Sequence, residues 1–388
     1  MRFKITNSIE YVGVNDRTID LFESQYIVPN GVSYNSYIIK DEKTVIMDTV
    51  DRRATNEWID NIEKTLQEKE ADYLIISHLE PDHSANIELL ANKYPNMKII
   101  LNQKAADMMP QFFDIDLSSR YVIVKEGETI DLGKHKLQFF MAPMVHWPEV
   151  MVTYEQTEKV LFSADGFGKF GTLDTDEDWA CEARRYYFNI CGKYGVQVQL
   201  LLKKAANLDI KIICPLHGPI LKENLEYYIK KYDVWSSYKP ENEGVLIAYN
   251  SIHGNTGKAI ETLEEILKEN GEENIVVSDL SRSDIAEVIE DAFRYDKLII
   301  ATPTYDAGLF PTTELFLSEL KHKNYQNRKV GIVQNGSWAP MAAKCIKEIL
   351  ADMKDISICE NIVTIKTRMK ESNIEEMNKL VKEILGGE

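Results

Sequence analysis

The chain has 388 residues, which is too long for one ordinary hydrophobic core, so we expect two domains. Its residues are 44% hydrophobic and 28% charged, as in a soluble globular protein. The formal charge of −17 argues against nucleic acid and anionic membranes as partners, because both attract basic surfaces.

The cysteines and the N-terminus indicate the compartment. None of the five cysteines forms a C-x-x-C pair, which is typical of reduced intracellular thiols. Residues 1–6 lack the apolar core of a signal peptide. No stretch approaches the roughly 20 apolar residues that a membrane span needs. We therefore predict a cytoplasmic protein without a membrane segment.

The N-terminal part of the chain alternates between strand and helix patterns. Residues 1–50 predict short strands separated by turns, and residues 55–68 carry helical spacing. The elements predicted next are a strand at 73–76, a helix from about Ser84 to Leu90, a strand at 98–101, a helix at 104–112, strands at 121–124, 137–140, 150–152 and 160–162, a long helix at 177–206, a strand at 210–213 and a helix ending at 235–238. Strands and helices in this succession suggest two packed sheets with helices outside, an αββα sandwich.

The composition changes at residues 239–244, so we predict one domain at 1–242 and a second at 243–388. The second domain has predicted strands at 245–249, 274–277, 298–301, 330–334 and 356–359, and predicted helices at 256–269, 283–293, 312–323, 339–352 and 373–385. Five strands that alternate with five helices predict a doubly wound parallel sheet, so the fold class is a two-domain α/β and α+β protein.

Four potential metal ligands follow the predicted strand at 73–76, namely His78, Glu80, Asp82 and His83. Pro81 inside this run favours a strand-to-helix loop over a helix. Such a loop can direct the first two side chains toward one metal ion and the last two toward another. Three more candidates lie at the ends of later predicted strands: His146, Asp165 and His217.

These seven side chains form a ligand set of four imidazoles and three carboxylates. Because it contains no thiolate, the set suits iron or another first-row metal of intermediate hardness. Two ferrous ions and three carboxylates would leave one positive charge, which a bridging hydroxide would neutralise in a buried site. Zinc has no redox chemistry to offer at such a site.

Three loops of the second domain are candidates for binding a phosphorylated, flat heterocycle. The first lies at a predicted helix N-terminus, where hydroxyls and free backbone amides bind phosphate. Its glycine spacing matches neither a Walker loop nor G-x-G-x-x-G. The other two loops follow strands at the same edge of the predicted sheet. The residues of the three loops are Ser251, Ile252, His253, Gly254, Asn255 and Thr256; Pro303, Thr304, Tyr305, Asp306 and Gly308; and Asn335, Gly336, Ser337 and Trp338.

The ligand layout resembles the metallo-β-lactamase superfamily, whose zinc hydrolases carry His-x-His-x-Asp-His. Glu80 stands at the second histidine position, and in this respect the chain resembles the flavodiiron proteins, or A-type flavoproteins. The resemblance implies the following ligands: His78, Glu80 and His146 for one iron, Asp82, His83 and His217 for the other, and Asp165 as the bridge. The three loops of the second domain resemble the FMN-binding loops of flavodoxin, with Tyr305 or Trp338 as the ring that stacks on the flavin.

This resemblance covers both domains, with supporting stretches at 31–37 and 183–187. It implies a non-haem diiron centre with one FMN that reduces dioxygen to water, nitric oxide to nitrous oxide, or both. Such an activity would defend an anaerobe against oxidative and nitrosative stress. His146 is a candidate catalytic residue, and Tyr26 and Tyr194 are candidate hydrogen-bond donors to the gas.

The resemblance also implies partners. The sequence has no C-x-x-C rubredoxin module, so a separate rubredoxin or similar small electron donor is expected. A head-to-tail homodimer, alone or as a dimer of dimers, would place the flavin of one subunit against the diiron site of the other.

Two other interpretations stay open. A zinc-dependent hydrolase of the metallo-β-lactamase fold could carry a fused flavodoxin-like domain of other purpose, although Glu80 argues against it. The chain could also be an electron-carrying flavodoxin fusion whose metal domain is structural, although seven ligands with open coordination positions argue against that. The identity of the bound metal separates the first of these from the diiron interpretation.

Overall fold

The computed structural model describes residues 1–386. The chain divides into two compact units, of which the first contains residues 1–187 and 196–233. The second contains residues 188–195 and the chain from residue 234 onward. The domain boundary predicted after residue 242 stays a prediction.

Two sheets share one hydrophobic core in the first unit. The seven-stranded sheet has the order Phe3–Lys4, Ile9–Tyr11, Tyr37–Ile39, Val45–Met47, Tyr73–Ile75, Lys98–Asn102 and Tyr121–Val124. The five-stranded sheet has the order Thr129–Asp131, Lys136–Met141, Met151–Glu155, Val160–Phe162 and Ile212–Cys214. Two small ribbons pair Val14–Asp16 with Val32–Tyr34 and Leu21–Phe22 with Tyr26–Ile27.

The core between the two sheets follows from the alternation of side chains along each strand. Met47 and Ile100 of the first sheet lie in the same buried cluster as Phe139 and Phe162 of the second. The helices and 3₁₀ turns of this part of the chain are Arg52–Ala54, Thr55–Leu66, Pro81–Ser84, Ile87–Lys93, Gln103–Met108, Met109–Gln111, Ser118–Arg120, Trp179–Ile190, Gly192–Tyr194, Gly195–Ala205 and Leu225–Ser236. The predicted sandwich is confirmed.

Two predicted helix boundaries were wrong. The helix predicted from Ser84 is preceded by the short helix Pro81–Ser84, because proline is tolerated at the first helical position. The single helix predicted over 177–206 is interrupted near residue 192. At Gly195 an added Cβ would lie 2.4 Å from the carbonyl oxygen of Ser236, so the second helix starts where only glycine permits this close approach.

The second unit contains a parallel sheet. Its strands lie in the order Ile275–Asp279, Asn242–Tyr249, Tyr295–Pro303 and Arg328–Asn335, followed by the two short strands Ile356–Ile358 and Val363–Ile365. Both short strands pair with Arg328–Asn335, so together they occupy the fifth position. The helices are Asn255–Glu269, Ile285–Arg294, Pro311–His322, Ala342–Leu350 and Glu371–Ile384. The predicted doubly wound sheet is confirmed, with the strand order of the flavodoxin-like class.

No helix within residues 1–386 combines the length and the apolar character that crossing a membrane requires.

Candidate metal centre and cofactor cavity

The structure brings all seven predicted metal ligands together in the first unit. Asp82 and His83 lie in the short helix Pro81–Ser84, and the other five lie in loops that follow strands. The imidazoles of His78, His83 and His217 and the carboxylate of Asp165 are almost completely buried. A loop that follows Lys136–Met141 supplies His146.

One group of ligand atoms surrounds a carboxylate oxygen of Glu80. The Nε2 atom of His78 lies 3.2 Å from Glu80 Oε2, and Nε2 of His146 lies 3.1 Å from the same oxygen. Both nitrogens are 3.6 Å from Oδ2 of Asp165. The ligand atoms of His78, His146 and Asp165 all lie within 4.8 Å of one another, and Glu80 contacts both histidines.

A second group lies on the other side of the same aspartate. The Nε2 atoms of His83 and His217 face each other at 2.9 Å. They lie 3.3 Å and 3.2 Å from Oδ2 of Asp82. Oδ1 of Asp165 is 3.5 Å and 3.8 Å away from these two nitrogens. Asp165 thus directs one carboxylate oxygen toward each group, as a carboxylate that bridges two metal ions does.

Unpaired buried oxygens show that the residues fit metal ions. Both carboxylate oxygens of Asp82 and Oδ2 of Asp165 are buried without a hydrogen-bond partner. Buried carboxylate oxygens normally have partners, because an unpaired buried charge is costly. A cation in each group would satisfy these atoms. The donor set is therefore suited to two metal ions, one on each side of Asp165.

Hydrogen bonds orient two of the imidazoles. His78 donates its Nδ1 proton to Glu149 Oε1 at 2.8 Å, and His217 donates its Nδ1 proton to the carbonyl oxygen of Ser33 at 2.8 Å. In each ring Nε2 is then left as the free ligand atom. Glu149 was not among the predicted site residues. It lies 71 positions from His78 in the sequence, and only the fold brings the two together.

The charges of the cluster control its protonation. Burial lowers the pKa of His83, but the carboxylates of Asp82 and Asp165 outweigh it and raise the pKa to about 9. Burial opposes charging of His78 too, yet Glu149 and Glu80 raise its pKa well above the usual histidine value. Without a bound metal the cluster retains protons, and metal binding releases them.

A third group of possible ligands is already satisfied. His135, Glu155 and Glu158 lie within ligand distance of one another. However, the Glu155 carboxylate accepts hydrogen bonds from His135 Nδ1 at 3.0 Å and from the backbone amides of Thr157 and Glu158 at 2.7 Å and 2.6 Å. This cluster therefore stabilises a turn without needing a metal ion.

The two predicted tyrosines lie in different units. Tyr26 is buried, and its ring centre is 5.9 Å from that of Phe170. Phe170 in turn contacts Tyr186 at 5.1 Å, and the Tyr186 hydroxyl donates to Oδ1 of Asp165 at 3.0 Å. Tyr194 belongs to the second unit. The roles of Tyr26 and Tyr194 stay predictions, and Tyr186 is a contact of Asp165 that sequence analysis missed.

A cavity of about 480 Å³ is lined by residues that follow strand ends of the parallel sheet. The predicted flavin-loop residues that line it are Ser251, Ile252, His253, Asn255, Thr256, Pro303, Thr304, Asp306, Asn335, Gly336, Ser337 and Trp338. The predicted residues Gly254, Tyr305 and Gly308 lie outside this lining. Ala307, within the second predicted loop, also lines the cavity, and sequence analysis missed three residues outside the loops, Ala339, Met341 and Thr367.

One end of the cavity is built to bind phosphate. The helix Asn255–Glu269 begins at Gly254, whose φ of 83° is a left-handed conformation that favours glycine. The N-cap residue Gly254 has no side chain that could cap this helix, so the backbone amides that precede Gly257 in the first turn are available to an anion. Ser251 Oγ accepts a hydrogen bond from the amide of Gly257 at 3.1 Å and holds the loop in place. These features fit the phosphate of FMN.

The two candidate stacking rings differ in their surroundings. Trp338 lines the cavity and is 84% exposed. The ring of Tyr305 packs edge-on against Phe310, with 5.6 Å between ring centres. A flat heterocycle in the cavity therefore has Trp338 available as its stacking partner.

We expect Glu149→Gln to weaken metal binding about 10-fold to 100-fold, because the neutral amide no longer supports the basicity of His78. Titration of metal-free protein against a chromogenic chelator measures this affinity. Glu155→Gln is the matched control, since Glu155 is equally buried and also bonded to a histidine. An equal loss of metal affinity in both variants would contradict the orienting role of Glu149.

The metal-free protein should lose thermal stability as the pH rises. Because the folded pKa of His83 is raised, its protonation stabilises the folded state fully below about pH 6.5, and this contribution is lost as the pH rises through about 9. Melting curves across this range, with and without bound metal, measure the effect. A metal-free protein whose melting temperature stays constant or rises in this window would contradict the charge assignment.

Comparison with known proteins agrees with this geometry. The model of the ODP family beta lactamase matches residues 32–218. An uncharacterized protein of Methanocaldococcus jannaschii is 31% identical over 97% of this chain and 96% of its own length. The anaerobic nitric oxide reductase flavorubredoxin of Vibrio vulnificus is 29% identical over 95% of this chain and 76% of its own length.

Solved structures match over nearly the whole chain. The rubredoxin oxygen:oxidoreductase of Desulfovibrio gigas has a TM-score of 0.92 at 27% identity and covers 99% of this chain and 98% of its own. A flavo di-iron protein of Thermotoga maritima has a TM-score of 0.89 at 28% identity with the same coverage of both chains. With its paired ligand groups, its flavin-sized cavity and these relatives, the chain belongs to the flavodiiron protein family.

Proposed function

We propose that this protein reduces dioxygen to water, nitric oxide to nitrous oxide, or both, at a non-haem diiron centre that receives its electrons through FMN. The observation that carries the proposal is the position of Asp165 between two groups of ligand atoms. Relatives whose names describe a nitric oxide reductase and an oxygen oxidoreductase support it.

The proposed ligands are His78, Glu80 and His146 for one iron, Asp82, His83 and His217 for the other, and Asp165 for both. Bound iron would supply electrons to the gas and stabilise the negative charge that develops on it.

The chain itself orients the imidazoles and surrounds them with side chains that exclude water. Glu149 and the Ser33 carbonyl hold two imidazoles in the orientation that metal binding needs. The ring of Trp147 packs edge-on against His78 at 5.0 Å, and that of Phe22 packs edge-on against His217 at 5.3 Å. These aromatic contacts keep water away from the ligands and strengthen electrostatic interactions at the centre.

The residues of the second unit would hold the flavin. The first turn of helix Asn255–Glu269 would bind its phosphate, and Trp338 would stack on its ring system. FMN supplies one-electron transfer between a donor and the metal centre. We propose residues 1–242 as the diiron domain and residues 243–388 as the FMN domain.

We further propose a separate electron donor, either rubredoxin or a similar small protein. Two relatives support this, because the name of each contains the word rubredoxin. The proposed assembly is a head-to-tail homodimer or a dimer of such dimers, in which the flavin of one subunit serves the diiron site of the other. A cytoplasmic location is proposed because none of the five cysteines forms a C-x-x-C pair, as is typical of intracellular proteins.

We expect His146→Asn to reduce gas consumption about 100-fold or more, since losing a ligand costs more than losing an outer partner of a ligand. Purified protein and chemically reduced rubredoxin would be mixed without oxygen and then supplied with dioxygen in one run and with nitric oxide in another. His135→Asn replaces a buried histidine outside the metal centre and should retain its activity. A His146→Asn protein that consumes either gas at the wild-type rate would contradict the proposal.

We expect Trp338→Leu to weaken FMN binding about tenfold, through loss of the stacking interaction. Tyr305→Leu should bind FMN as the wild type does, because Tyr305 lies outside the cavity lining. Quenching of flavin fluorescence on titration of flavin-free protein measures both affinities. If Tyr305→Leu lost more FMN affinity than Trp338→Leu, the stacking ring would be Tyr305 and the assignment would be wrong.

A further inference from the structure

Besides the large cavity of the second unit, the protein has a much smaller cavity of about 30 Å³, which lies in the first unit. Its sheet side is formed by residues that alternate with the core-facing residues of the five-stranded sheet, so it lies on the outer face of that sheet. The opposite side is formed by the helix Gly195–Ala205. The principal lining residues are Phe140, Val152, Leu161, Val198 and Leu202.

The size and the lining of this cavity restrict its occupant. The cavity has room for a small molecule, and apolar cavities of this kind stay dry and take up apolar atoms such as xenon. A polar or charged molecule would lose its hydration there without gaining enough hydrogen bonds in return. A neutral diatomic gas has both the size and the low polarity that the cavity selects.

The cavity shares its wall with the two loops that carry metal ligands. Val145, which lines the cavity, precedes the ligand His146 in the chain. Ser163 and Gly166 also line it, and they lie on either side of Asp165 in the sequence. A molecule in the cavity therefore contacts the segments that position one terminal ligand and the bridging ligand.

The other side of the cavity borders an open cleft of about 380 Å³. Leu201 and Lys204 line both spaces, so their side chains form the partition between them. The Lys204 ammonium donates a hydrogen bond to the carbonyl oxygen of Met141 at 2.8 Å, at the end of a strand that also lines the cleft. Movement of these two side chains would connect the cleft with the cavity.

We propose that this cavity binds the gaseous substrate, dioxygen or nitric oxide, on its way from the surface cleft to the diiron centre. The partition of Leu201 and Lys204 is its entrance, and Val145 forms the wall beside the ligand loop. This inference rests on the proposed function for the identity of the gas.

Xenon binding tests whether the cavity takes up an apolar gas, and this test does not depend on the proposed reaction. Crystals of the holoprotein under xenon pressure should show a xenon atom beside Val198 and Leu202. Val198→Phe fills the space and should remove this xenon atom. Val196→Phe makes the same substitution at a 66% exposed position of the same helix and should leave the xenon atom in place. Absence of xenon from the wild-type cavity would overturn the proposal.

The kinetics of gas consumption then test whether the cavity lies on the route from the surface cleft to the diiron centre. In Val198→Phe the second-order rate constant for gas consumption should fall about tenfold, while the rate at saturating gas and the content of iron and FMN stay unchanged. Val196→Phe should match the wild type in all of these measurements. A Val198→Phe protein that lacks xenon but retains the wild-type second-order rate constant would overturn the route.

Two further outcomes are distinguishable. If wild-type protein consumes neither gas, the proposed function fails, and xenon still reports whether the cavity takes up an apolar gas. If Val198→Phe does not fold, Leu202→Ala tests the cavity in the opposite direction. Its larger space should bind more xenon than the wild type, and unchanged xenon occupancy would contradict the assignment.

Discussion

The carboxylate of Asp165 is the group on which the rest of the site depends. One of its oxygens faces the first group of histidines and the other faces the second, so a single side chain would fix the separation of two metal ions bound there. The sandwich makes this possible because the strands that precede Asp165 and His217 are hydrogen-bonded neighbours. The loops that follow neighbouring strands deliver ligands to one place.

Burial of so many charges requires compensation. Three carboxylates and four imidazoles are largely removed from water, and several of their atoms have no hydrogen-bond partner among residues 1–386. Two bound cations would balance these charges, and without them protons on His78 and His83 balance part of the negative charge. Glu149 and the Ser33 carbonyl bind Nδ1 of their histidine partners, which leaves Nε2 of each ring as the atom that would bind a metal ion. The same arrangement thus explains the affinity for metal ions, the release of protons when they bind and the orientation of the imidazoles.

Much of this site could be predicted from the sequence, because metal chemistry dictates residue types and their spacing after a strand. The run from His78 to His83 is one such pattern. Glu149 could not be predicted, since its contact with His78 exists only after the two sheets have packed. Met341 and Thr367 likewise reach the flavin cavity from outside the three predicted loops. The short helix at Pro81 was missed because proline breaks a helix in its interior but not at its first position.

The most direct test is anomalous diffraction from crystals of the purified protein, recorded at the iron and zinc absorption edges. The account predicts two iron peaks, one on each side of the Asp165 carboxylate, together with FMN in the cavity beside Trp338. Zinc at both positions would contradict the diiron centre and would favour a metallo-β-lactamase-fold hydrolase with a fused flavodoxin-like domain.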